Sequence, residues 1–185
     1  PQYLIVELAM GLLFLAFARA DLAAGFGSRQ LMTMLTHWYF AVILTIVFIY
    51  DLRYMLILRS VTLPATALAA LANLALGVPP WRVVVGCLVG AGFFYLQYVL
   101  SRGRWIGGGD INFGLLMGAM LAWPGTLMAL MMAYIVGAFF GIILLLTKKK
   151  TMQSQLPFGT FLAGATLVTL LWGEGIARWY FGLLL

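Results

Sequence analysis

Seven stretches of the chain are almost wholly apolar, and charges, Gly/Pro clusters or polar breaks separate them. They cover roughly residues 3–18, 37–58, 63–78, 83–100, 111–123, 127–146 and 159–172. Read as helices, they predict an all-α, polytopic transmembrane bundle of about seven spans. Several are shorter than the ~20 residues that cross a bilayer upright, which implies tilt or local thinning of the bilayer. No soluble domain, low-complexity tract or convincing internal repeat interrupts them, so residues 1–185 read as a single transmembrane domain.

Composition sharpens this picture. The chain is 64% apolar and 9% charged, whereas soluble domains run about 45–50% apolar and about 25% charged. Intrinsic disorder is excluded as well, because disordered chains are poor in aromatics and rich in charge. A net charge of +6 would suggest nucleic-acid binding in a soluble protein. Here the basic residues sit at the ends of apolar runs, so a lipid bilayer is the expected partner and nucleic acid is not.

The loops after the second, fourth and sixth segments hold Arg53, Arg59, Arg102, Arg104 and Lys148–Lys150, and those after the others hold Arg19, Arg29, Arg82 and Arg178. The excess of Lys and Arg puts the even loops in the cytoplasm. Pro1 would then start on the cytoplasmic side and Leu185 end opposite. Cys87 is the sole cysteine and His37 the sole histidine. That removes disulfides, Cys-based zinc sites, His-cluster metal sites and Ser-His-Asp catalysis. Pro1 in place of Met leads to the expectation that the gene product extends further N-terminally.

The five acids can be placed one by one. Asp21 and Glu174 fall in loops on the non-cytoplasmic side and read as solvated surface. Glu7 lies in the first segment near its cytoplasmic end, where pairing with an arginine or a part in receiving a basic substrate are its two readings. Asp51 lies towards the cytoplasmic end of the second segment, and Asp110 follows Gly107, Gly108 and Gly109 to open the fifth. The topology puts Asp51 and Asp110 at one membrane face.

Each of these two has an ordinary explanation, an interfacial ion pair with Arg53 or Arg59 for Asp51 and a helix N-cap for Asp110. Together they suggest function, because acids in a membrane are costly. Three glycines permit φ > 0 and a close backbone approach. Asp110 at a helix N-terminus should be stabilised as an anion by the macrodipole, and Asp51 near a C-terminus should not. Two carboxylates with different proton affinities are what aspartic proteolysis needs.

The run Tyr50-Asp51-Leu52-Arg53, then Thr62-Leu63-Pro64, then Gly107-Gly108-Gly109-Asp110, resembles the bacterial type IV prepilin peptidases, aspartic leader peptidases of the GxGD class. The likeness continues through Tyr3-Leu4-Ile5-Val6-Glu7-Leu8 and through Leu156-Pro157-Phe158-Gly159 to Leu171-Trp172-Gly173. It implies a multi-pass inner-membrane endopeptidase that removes the basic leader from prepilins and pseudopilins at the cytoplasmic face, with Asp51 and Asp110 catalytic. Proteolysis of this kind takes no cofactor and no metal. Many members also methylate the new N-terminus with S-adenosylmethionine and carry a cysteine-rich, zinc-binding region ahead of the core.

The sequence departs from the family pattern where Leu58-Arg59 replaces Pro-Asp, where Asn112 replaces a Lys, and in lacking the paired cysteines. S-adenosylmethionine is therefore implied only if methylation is retained. A presenilin-like or signal-peptide-peptidase-like protease, a small ion-coupled transporter using the same two Asp, and a non-catalytic assembly subunit are the alternative readings.

Overall fold

The computed structural model describes residues 2–23, 25–147 and 157–182. They form six helices: α1 (Gln2–Leu22), α2 (Ser28–Tyr54), α3 (Arg59–Ala75), α4 (Pro80–Ser101), α5 (Gly108–Leu146) and α6 (Phe158–Gly182). Among the described residues there is no strand. Five helices, all but α3, are long and apolar enough to cross a membrane, fewer than the seven spans expected. Lys148–Lys150, the most basic run in the topology argument, lie outside the described residues.

Local signals account for most boundaries. Pro80 opens α4, where its missing N–H costs no helical bond. Met55 and Arg102, both in the left-handed region, end α2 and α4, and Gly103 at φ 73 completes the second turn. Leu58, the N-cap of α3, offers no side-chain oxygen to the helix. Helix α2 starts well before the apolar run at 37, because Ser28–Thr36 are helical without being lipid-like.

Helix α5 is one element only by continuity of hydrogen bonding. Ala122 (φ 53, ψ −175) and Trp123 (φ −84, ψ 138) break it just before Pro124, close to where the fifth and sixth apolar segments divide. The chain doubles back there. A Cβ on Gly90 of α4 would meet both Gly114, on the first arm, and Thr126 Cγ2, on the second at 3.3 Å. Gly86 faces Gly118 and Ala122, while Gln97 bonds Tyr134 at 2.9 Å. One arm thus runs antiparallel to α4 and the other parallel to it.

Two small-residue pairs let α4 and the first arm of α5 touch backbone to backbone. Gly86 and Gly90 stand opposite Gly118 and Gly114. This is a pair of facing GxxxG motifs, and Gly137 and Gly141 form another in the second arm of α5. A Cβ on Gly137 would come 3.3 Å from the Phe158 ring, an intramolecular packing role. Asn73 of α3 donates to the carbonyls of Ala119 and Met120, at 2.7 and 2.9 Å, where α5 is about to break.

Several polar side chains are buried within an otherwise apolar core, while many large apolar ones face outward. Thr62, Asn73, Asn112, Thr126 and Thr166 are buried, whereas Leu12, Leu88 and Ile135 are about two-thirds exposed. In water this would leave apolar surface unpaired; in lipid it is the favourable arrangement, with polar groups bonded between helices.

Candidate active site

Three helix ends meet at one end of the bundle: the C-terminus of α2 and the N-termini of α5 and α6. Asp51 lies one turn before the end of α2 and is 5% exposed. Its Oδ2 accepts a 2.7 Å hydrogen bond from the Thr160 N–H in the first turn of α6, and the Gly159 N–H faces the same carboxylate. Asp110, half-buried, sits in the first turn of α5. Its Oδ2 accepts from the N–H of Gly107, the residue that caps its own helix, at 3.0 Å.

The sequence expectation that only Asp110 would face a helix N-terminus is overturned. Asp51 ends its own helix but faces the start of α6, so both carboxylates receive backbone N–H groups from a helix N-terminus. The helix dipole therefore does not set the two apart.

Asp51 and Asp110 lie within mutual electrostatic reach. Ile57, just past the end of α2, links the two regions by packing on Gly109, where a Cβ would come 3.0 Å from its own. This contact explains Gly109, and none of the three glycines of the run has a positive φ. Gly107 is extended at φ −85, and the positive-φ glycine of this loop is Gly103. A Cβ on Gly108 would meet nothing within 4 Å, so the backbone beside Asp110 is open to an incoming chain.

Asn112 donates to the Gly108 carbonyl one turn earlier in α5, at 3.1 Å. Behind the carboxylates Phe158 packs on Tyr134 with ring centres 4.8 Å apart, and the Tyr134 hydroxyl is bonded to Gln97. This aromatic wall went unnoticed in the sequence, because its parts come from three helices.

The remaining acids take no part in these hydrogen bonds. Glu7 is exposed on α1 and makes no ion pair among the described residues, so its expected pairing with an arginine is not observed. Asp21, read as solvated, is largely buried and holds His37 Nδ1 at 2.9 Å, tying α1 to α2 at the opposite end. Glu174 lies within α6 and not in a loop. Two surface hollows of about 360 and 390 Å³, beside Arg29 and beside Trp179, are also at that far end. Among the described residues no group of three or more His, Cys, Asp or Glu could hold a metal. With Cys87 isolated on α4 and His37 tied to Asp21, these residues do not fit a cysteine-rich zinc site.

Fold and site together define an all-helical chain with several helices suited to a membrane and a pair of carboxylates gathered at one end. The model of the type IV leader peptidase family matches residues 38–142, and the chain belongs to that family. It is 34% identical to a prepilin leader peptidase/N-methyltransferase of Aeromonas salmonicida, over 100% of this chain and 62% of that protein. Similar proteins of the same description occur in Aeromonas hydrophila (35% identity, 97% of this chain and 61% of that protein) and Bacillus subtilis (28%, 76% and 57%). The chain thus spans about three-fifths of the length of the Aeromonas relatives it matches. No solved structure matches it.

Proposed function

We propose that this chain is the catalytic core of a membrane-embedded aspartic endopeptidase that cuts the basic leader from type IV prepilins or pseudopilins. The observation that carries the reading is that Asp51 and Asp110 lie at one end of the bundle within electrostatic reach of each other, in a chain of the leader peptidase family. Family membership favours it over a presenilin-like protease or an ion-coupled carrier.

In the proposed reaction one carboxylate is ionised and takes a proton from water, whose oxygen attacks the scissile carbonyl carbon. The other, protonated, donates to the carbonyl oxygen. Collapse of the tetrahedral gem-diol breaks the C–N bond: the carboxyl that received a proton gives it to the departing amine, and the other carboxylate takes one back from a hydroxyl, leaving a carboxylic acid and restoring the starting pair. The proton then belongs to the pair and not to either residue. S-adenosylmethionine would serve only a methylation step, which two carboxylates do not perform, and no step here runs through it.

If α3 and both arms of α5 also cross, the chain would make seven spans. Every connection at the Asp51–Asp110 end would then be cytoplasmic by the positive-inside rule, in what we take to be the bacterial inner membrane. A prepilin would lie with its apolar helix in the bilayer and its basic leader beside the two acids.

The test is cleavage of a purified prepilin by this chain in detergent or proteoliposomes, followed by mass spectrometry. Release of the leader at one bond is expected. An intact prepilin, with an Aeromonas relative active in the same assay, would overturn the reading.

A further inference from the structure

We infer that the first turn of α6 is the positioning element for Asp51, and that Gly159 must carry no side chain for the carboxylate to seat there. The role assigned to Asp51 rests on the proposed function; the contact itself does not.

A carboxylate this deeply buried needs donors. Its own helix has none to give, since the N–H groups around Asp51 are spent on the carbonyls one turn earlier. The first turn of α6 supplies them, because the opening N–H groups of a helix have no intrahelical acceptor. Thr160 N–H reaches Oδ2 at 2.7 Å, while the Thr160 hydroxyl turns away to the Pro157 carbonyl at 2.6 Å. The amide, not the hydroxyl, serves Asp51.

Gly159 explains how the two helices come so near. A Cβ there would stand 2.8 Å from Cγ and Oδ2 of Asp51 and 3.1 Å from Oδ1, against the face of the carboxylate. Its backbone is helical and needs no glycine for conformation. The missing side chain is what the site requires. Five residues on, a Cβ on Gly164 would meet nothing within 4 Å. Asp110, in contrast, is held by its own helix. Of the two acids, only Asp51 depends on the seating of a distant element.

Gly159→Ala displaces the carboxylate without touching an exposed surface for the leader. Cleavage kinetics of the full chain should show kcat falling about tenfold or more, the scale of a misplaced reacting group, with KM held within roughly twofold. Gly164→Ala, which changes the same helix without a clash, should match the unmodified chain. A thermal-unfolding cycle separates positioning from simple damage: Gly159→Ala should lower Tm in the natural background and have no such effect when paired with Asp51→Ala. Equal Tm losses in both backgrounds, unchanged kcat, or a loss confined to KM would overturn the inference. The Tm cycle needs no activity, so it still reports on this contact if the protease assignment itself fails.

Discussion

Gly109 packs so closely under Ile57 that a Cβ would lie 3.0 Å from the Ile57 Cβ, whereas one on the adjacent Gly108 would stand free. This joins the turn after α2 to the start of α5, and so keeps Asp51 near Asp110. Gly109→Ala should lower stability by about 1–3 kcal/mol, the usual cost of overpacking, with cleavage weakened too. Gly108→Ala should leave Tm nearly unchanged. Melting curves of the two variants in one detergent check the contrast; equal losses would show that the run serves backbone freedom instead.

The α4–α5 contact makes a second expectation. A Cβ on Gly118 would stand 2.5 Å from the Cα of Cys87, and backbone on both sides cannot yield. Gly118→Ala should therefore cost on the order of 1–3 kcal/mol or more. Gly92→Ala, on the same helix as Gly86 and Gly90 but with nothing within 4 Å, should be neutral. Thermal unfolding in detergent reads both.

Asn73 is a third. Its amide satisfies the last carbonyls before the break in α5, so Asn73→Leu would bury those acceptors without a donor. A loss of about 1–3 kcal/mol is expected. The same variant should speed hydrogen exchange around residues 119–126 more than around the α6 start. Uniform exchange across the bundle would argue against a local role.

Much of the fold is legible in the sequence for one physical reason. A bilayer demands long apolar helices, and charge and proline mark where they stop. Pro124 sits just past the reversal at Ala122–Trp123, and Arg53 and Arg102 close to two helix ends. The sequence also puts Asp51 and Asp110 at the same end, through alternation of the connecting loops.

The contacts between helices are hidden in the sequence. Thr160 meets Asp51 across 109 residues, and no local pattern announces that a carboxylate at one helix C-terminus will face another helix's start. Glycines are similarly ambiguous: Gly109 and Gly159 serve close approach, Gly103 serves a positive φ, and their neighbours look alike. Asp21 reads as a loop acid because its partner His37 lies on the next helix.

The most direct test of the central claim is prepilin cleavage by Asp51→Asn and Asp110→Asn, each compared with the unmodified chain at equal amounts in membranes. Asn keeps size and shape but cannot exchange a proton, so each variant should insert and melt nearly as the parent while losing cleavage by a factor of about 10³ or more. Processing at the parental rate by either variant, with the other residues unchanged, would contradict the account.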